Sequence, residues 1–463
     1  MHYVTNEDDV IGVWRTSKAP HLRSIHLTPE SNSQFLVSIS KPLKYPFQMK
    51  KVETKIAKHL STRQVEGSEN DEMRPTRQLH LDPSKRLPLL RSQKGPDDAP
   101  QSLPVTRKYT HPSKSSAARA EDDASLSFIG NATTIIEWRG LRILTDPNFL
   151  HAGDHVHLGP GVTAQRVKNP AVDLEELPPI DLVLLSHYHE DHFDRLVEEK
   201  LNRDFIIVTT PHAKECLTSS ERYASRDEGG PFRAVHDVDT FESLMVHIGG
   251  GDPSDGRGRS PVIKIVAMPG KHVPPGPLTA VNNLLGAVPP TNGWLLEMGW
   301  SSSGPGSGSD DEAGQGSQSM DTGYRTYISG DTLFVDELKE IPKYIREQQT
   351  VQHSHSSSDQ ATREEGGGGD TRIDLMIAHL GGTTIGGPKV PLIMVTMDAK
   401  QGIELMRLLN PDLTIPVHFD DYDIMLSSLL DFKYEVANMG EEWKDKVVYL
   451  DRGEQFTFKV RES

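Results

Sequence analysis

The stretch Ser186-His-Tyr-His-Glu-Asp-His-Phe-Asp194 puts three imidazoles and a carboxylate, His187, His189, Asp191 and His192, within six positions. It follows directly on Asp181-Leu-Val-Leu-Leu185, an apolar run that reads as a buried strand. Along an extended segment, residues i and i+2 point the same way, so His187 and His189 can grip one cation. The chain then turns, and Asp191 and His192 face a second cation beside the first. Neutral imidazole and carboxylate suit zinc, iron or manganese. The plain alternative, a histidine-rich surface loop, does not account for so dense a set of donors behind an apolar strand.

A two-ion site needs more donors, held where the scaffold is rigid. Three candidates follow apolar runs: His272 in Met268-Pro-Gly-Lys-His272, Asp331 in Tyr327-Ile-Ser-Gly-Asp-Thr332, and His418 closing Ile415-Pro-Val-His418. In the second of these, glycine lets the backbone turn and aims a carboxylate at the end of the strand. His379-Leu-Gly-Gly382 also follows a strand. Its backbone could donate to an oxyanion, or His379 could be a satisfied core residue. Tyr422, four residues after His418, is a candidate substrate contact. The apolar stretch Val273 to Leu278, continuing through Ala287 to Pro290, lies beside His272 and is expected to wall a substrate pocket.

The elements that must position these residues read as strands alternating with helices, an α/β or α+β sandwich. Early strands are expected at Leu126–Ile129, Thr133–Trp138 and Leu141–Leu144, then at Phe205–Val208, Val262–Val266, Trp294–Met298 and Tyr324–Ile328. Later ones fall at Ile373–Ile377, Leu413–Val417, Val447–Leu450 and Gln455–Val460. Helical patterns cover Asp191–Leu201, Val335–Ile345 (with Pro342 a break) and Ala399–Leu409. Gly, Ser and acidic residues dominate flexible inserts near 249–259, 301–323 and 351–370. His353 and His355, inside the third, lack rigid support and are read as non-functional. Residues 1–124 show no sustained periodicity and are expected to be mostly disordered, apart from a brief Phe35–Ile39 strand with nothing obvious to pair with. Residues 125–463 then form the folded domain.

Bulk properties agree. Mean hydropathy is -0.50 and hydrophobic residues make up 35% of 463, low for a wholly folded chain. One cysteine, Cys216, excludes internal disulfides and cysteine zinc clusters. Residues 1–120 carry 20 Lys and Arg against 12 Asp and Glu, a net of +8 beside -24 for the remainder. The basic front reads as a solvated tail, with peripheral lipid contact left open. The acidic body argues against nucleic acid as a partner. With no spanning apolar run and no signal-peptide pattern, the cytoplasm is the default compartment.

Together these motifs resemble the metallo-β-lactamase-fold hydrolases, most of all the branch containing L-ascorbate-6-phosphate lactonase and N-acylphosphatidylethanolamine phospholipase D. Ile129-Gly-Asn-Ala-Thr133 matches the opening strand motif, and Leu144-Thr-Asp-Pro147 the Asp-Pro turn. Gly159 through Arg166 and Leu177-Pro-Pro-Ile180 match the approach to the metal loop. The resemblance implies a four-layered αβ/βα sandwich holding two divalent ions, zinc or manganese, between sheet edges. It implies His187, His189 and His272 as ligands of the first, Asp191, His192 and His418 of the second, and Asp331 bridging both. The implied reaction is hydrolysis of a phosphodiester or lactone-type small molecule by a metal-bridging hydroxide, which Asp191 would also orient. Asp146 would fix a ligand imidazole as its hydrogen-bond acceptor. Asn131 and Thr396 stand where the branch commonly carries histidine, so its substrates do not transfer; Thr396 could instead cap the following helix. A lipid phosphodiesterase and a non-catalytic metal-binding module are the alternatives.

Overall fold

A computed structural model describes the backbone at 4–6, 9–11, 25–30 and 34–39, and residues 77–462 except 115–120, 160–161, 225–228, 251–258, 277–278, 280–281, 283–287, 302–319, 357–370 and 386–392. Contacts divide the chain into two units, 1–73 and 74–463. In the first unit Val4–Asn6 pairs with Asp9–Ile11 and Ile25–Glu30 pairs with Gln34–Ile39, both antiparallel. The Phe35–Ile39 strand therefore does have a partner, ten residues upstream.

The second unit is built on two mixed sheets. The first runs Val235–Asp237, Ile207–Thr209, Leu182–Leu184, Leu141–Thr145, Thr133–Trp138, Ala124–Gly130, Glu454–Phe458, Arg107–Thr110. The second runs Leu413–Val417, Leu375–His379, Met320–Ile328, Asn292–Ser301, Ser260–Pro269, Ser243–Ile248, Arg77–Leu81. The two-residue side-chain period of a strand sorts each one between layers. Leu182 and Leu184 join Ile143, Ile265, Leu296 and Ile415 in the interior between the sheets. Val183 and Leu185 face the other way, onto Val197, Ala213 and Leu217 of helices Arg195–Lys200 and Pro211–Leu217. On the outer face of the second sheet, Met376 meets Ile341, Ile403 and Phe432 of helices Glu340–Ser356, Ala399–Leu409 and Leu429–Ala437. Helices, sheet, sheet, helices: these are the four layers implied by the resemblance.

Several expectations need correction. The described strands of the second unit begin at Arg77, not near Ser125. Arg77–Leu81 pairs in parallel with Ser243–Ile248, and Arg107–Thr110 with Glu454–Phe458. Leu89 and Leu90 are buried. These edge strands find their partners far along the chain, so their Lys, Pro and Ser surroundings hide them. The remainder of the expected disorder lies outside the described residues. Val447–Leu450 forms only one bridge, Val447 to Thr414. Pro342 does not break its helix, because it sits in the first turn of Glu340–Ser356, where no N–H has an intrahelical partner. That helix extends into the third expected insert, and the strands ending at Ser301 and starting at Met320 take both ends of the second.

Candidate metal centre

The strands Leu141–Thr145 and Leu182–Leu184 are parallel neighbours, as are Met320–Ile328, Leu375–His379 and Leu413–Val417. Parallel strands end on the same edge, and there they release Asp146, the His187 loop, Asp331, His379 and His418. Ser260–Pro269 runs antiparallel to a strand that is itself antiparallel to Met320–Ile328, so His272 leaves at that edge too. Asn292 N donates to Ser186 O at 3.1 Å, tying the second sheet to the metal loop. Two donors require unusual backbone. Gly330 has φ +59°, and a Cβ there would lie 2.3 Å from the Asn292 carbonyl oxygen. His418 has φ 59° and Asn131 φ 52°, and His418 N donates to Asn131 O at 2.9 Å. Strained backbone of this kind is tolerated where surrounding contacts dictate it.

All seven sequence-predicted donors converge, in two groups. His187, His189 and His272 form one; Asp191, His192, Asp331 and His418 form the other, and within each group the donor atoms lie within 4.8 Å of one another. His187 Nε2 is 2.9 Å from His272 Nε2 and 3.1 Å from His189 Nδ1. In the second group His192 Nε2 lies 3.3 Å from Asp331 Oδ2, and His418 Nε2 lies 3.5 Å from both Asp191 Oδ2 and Asp331 Oδ2. By these distances Asp331 falls in the second group, and its charge also acts on His187, His189 and His272. His187, His192 and His418 are fully buried.

The ring orientations are set from behind. Nδ1 of His272 donates to Val395 O at 2.9 Å, and Nδ1 of His418 to Leu380 O at 3.0 Å. A carbonyl only accepts, so in the neutral ring each Nε2 carries a bare lone pair. Ser186 Oγ is 2.9 Å from His187 Nδ1, and Asp146 Oδ2 is 3.2 Å from His192 Nδ1. Asp146 is itself fixed by Ser186 N donating to Oδ1 at 2.7 Å. Second partners of this sort fix tautomer and aim in metal-binding histidines. Meanwhile His192 Nε2, His418 Nε2, His379 Nε2 and Asp191 Oδ1 are buried with no hydrogen-bond partner. Buried polar atoms without a partner are costly, and a cation held among these donors removes the cost. The donors fit divalent ions.

Charge states agree with this. Burial pushes the imidazoles of His187 and His272 below their usual range, and His189 down to about 3, keeping this group neutral. For Asp191, burial works toward protonation, but His192, His418 and His189 outweigh it and bring the carboxyl to about 2. Burial also opposes charge on His192, yet Asp331, Asp191 and Asp146 raise it. The second group therefore has a strong negative field of its own.

The remaining candidates land differently. His379 Nδ1 donates to Asp331 Oδ1 at 3.0 Å, and its ring stacks near those of His192 and His418. Tyr422 is buried among Leu150, Val156 and Ile424, and its hydroxyl donates to Asn148 Oδ1 at 3.0 Å, so it is packed into the wall. Thr396 does not cap the helix; Asp398 does, accepting from Gln401 N, while Thr396 Oγ1 donates to Asp331 Oδ2 at 2.8 Å. Asn131 Nδ2 donates to the Asp191 carbonyl at 2.6 Å. The expected pocket wall falls partly outside the described residues, at 277–278 and 283–287.

Sequence reasoning missed a buried ionic group behind the centre. Asp421 accepts from Arg166 Nη2 at 3.0 Å, from Arg452 Nη2 at 2.6 Å and from Asn131 N at 2.7 Å. Its position three residues beyond His418 was the available signal.

Comparison with known proteins agrees with this geometry. A family model described as β-lactamase superfamily domain matches residues 141–294. An uncharacterised protein of Mycobacterium tuberculosis is 39% identical over 70 residues, 15% of this chain and 18% of that protein. The mitochondrial N-acyl-phosphatidylethanolamine-hydrolyzing phospholipase D of Saccharomyces cerevisiae is 37% identical over 68 residues, 15% of this chain and 14% of the relative. The chain thus matches less than a fifth of the length of either protein. Among solved structures, an isothiocyanate hydrolase from Delia radicum gut bacteria aligns over 73% of this chain and all of its own, with 17% identity and a TM-score of 0.47. Residues 141–294 thus match a β-lactamase superfamily domain, and that segment lies within a four-layered sandwich whose donor groups gather at one sheet edge.

Proposed function

We propose that the chain is a metal-dependent hydrolase that holds two divalent ions side by side and cleaves a phosphodiester or lactone-type small molecule. The observation that carries this reading is the convergence of seven donors from four separate segments, with buried atoms of His189, Asp191, His192 and His418 left without a hydrogen-bond partner. An all-nitrogen and oxygen donor set suits zinc or manganese. Once bound, a pair of such ions lowers the pKa of water and polarises the oxygen of the scissile group.

The chain's own residues do the rest. Asp191 turns Oδ2 toward His192 and His418 and leaves Oδ1 without a partner. That oxygen is placed to accept a hydrogen bond from an attacking water and hold it in line. Asn131 pins the Asp191 carbonyl, which keeps the carboxylate aimed. Burial of the donors keeps competing solvent away from both groups.

A lipid phosphodiester is a narrower reading. It is favoured by the similarity to the phospholipase D of yeast and by exposed Leu426, Leu430 and Tyr434 on and beside helix Leu429–Ala437. No helix among the described residues is long and apolar enough to cross a membrane. The test is metal analysis of the purified chain, followed by a panel of phosphodiesters, lactones and N-acylated phospholipids in vesicles. Two equivalents of metal, with turnover abolished by Asp191→Ala, is the expected result. Bound metal without turnover of any substrate would leave the non-catalytic module instead.

A further inference from the structure

Tyr188 stands between two of the donors, in His187-Tyr188-His189, and faces away from both. Its ring packs against the apolar layer between the first sheet and its helices, and its hydroxyl donates to Glu198 Oε1 at 2.8 Å. Glu198 lies on helix Arg195–Lys200, which the chain enters straight from the metal loop, so this bond closes the loop on itself. A third element joins in. The Tyr223 hydroxyl donates to the same Glu198 oxygen at 2.7 Å, and Arg222 Nη2 donates to the Tyr188 hydroxyl at 2.6 Å. The Arg222 guanidinium also lies over the Tyr188 ring, 4.6 Å from its centre, with Nε 3.7 Å from Glu198. Glu198 and Tyr223 are buried, where an acid is costly unless it is paired and hydrogen-bonded. Burial and the Glu198 charge push both phenols up, so each hydroxyl stays a donor.

We propose that Tyr188 is a positioning residue: hung on Glu198, it sets the backbone from which His187 and His189 present their nitrogens to a metal ion. This rests on the metal-binding reading above. Neighbouring residues of an extended segment point to opposite sides, so holding Tyr188 on one side holds both imidazoles on the other. His189 needs this most. His272 and His187 are aimed through Nδ1, by the Val395 carbonyl and the Ser186 hydroxyl. His189 has no such support, because its Nδ1 meets only His187 and its Nε2 has no hydrogen-bond partner. Its aim must come through the main chain, and Tyr188 is the adjoining residue that is tied down.

Tyr188→Phe and Tyr223→Phe each delete one hydroxyl from the same carboxylate oxygen, but only Tyr188 lies in the metal loop. The two variants and the unaltered chain, all full length, are melted without zinc by circular dichroism. They are then loaded with zinc and dialysed against graded chelator, and retained zinc is read by mass spectrometry. Both variants should melt lower by similar amounts. Tyr188→Phe should weaken zinc binding by about tenfold, the low end of what losing a supporting partner costs. Tyr223→Phe should retain zinc as the unaltered chain does. Glu198→Gln keeps an accepting oxygen and should hold zinc better than Glu198→Leu. Should Glu198→Leu fail to fold, the two phenylalanine variants decide. Equal weakening in both would reduce the network to a general brace, and no weakening in Tyr188→Phe would detach it from the donors; either result overturns the proposal. An unaltered chain that binds no zinc would instead remove the metal-binding reading on which it rests.

Discussion

Several imidazoles in the centre are aimed from behind. Val395 and Leu380 carbonyls fix His272 and His418, and Asp146 faces the far side of His192. The two groups draw on different imidazoles, so they should empty separately. His272→Ala is expected to cost one equivalent of metal and leave the second bound, whereas His418→Ala should spare the three-imidazole ion; metal content of each purified variant decides this. All seven donors were legible from residue type and from their place after apolar runs. Thr396 and Asn131 were visible only as departures from a pattern. Their contacts, to the Asp331 carboxylate and the Asp191 carbonyl, depend on which way a side chain points across a gap of 65 or 60 residues. No local periodicity encodes that.

Single glycines and buried charges decide whether strands and turns can deliver these residues. Gly330→Ala would place a methyl 2.3 Å from the Asn292 carbonyl in a left-handed conformation. The turn must open, Asp331 must move, and zinc retention should weaken together with a lowered melting temperature; unchanged zinc retention would show that the turn does not aim the carboxylate. Asp421 is buried between Arg166 and Arg452 and also braces the Asn131 backbone. Removing one partner of a buried ion pair costs about 3–5 kcal/mol, so Asp421→Ala should lower the urea midpoint sharply. Central strands such as Thr133–Trp138 and Leu413–Val417 were readable to the residue, because burial on both faces concentrates apolar and β-branched residues in them. Short strands and helices, including Val235–Asp237, Ser243–Ile248 and Pro211–Leu217, carried too few residues to show a period.

At the largest scale, the four-layered sandwich of the second unit explains why the centre sits where it does: two sheets facing across one interior bring parallel strand ends to a common edge. The four layers followed from strand and helix alternation together with motif order. The extent of the fold did not, because the Arg77–Leu81 and Arg107–Thr110 strands are recruited by partners 167 and 347 residues away.

Those two outermost strands act as guards. Cutting the chain at Ser125, where composition alone would put the boundary, strips the flank of both sheets and leaves Ser243–Ile248 and Glu454–Phe458 with unpaired amides facing water. Bare flanks of this kind stick to one another. A version starting at Arg74 should run as a single sharp peak on gel filtration, and one starting at Ser125 should precipitate or elute in the void volume.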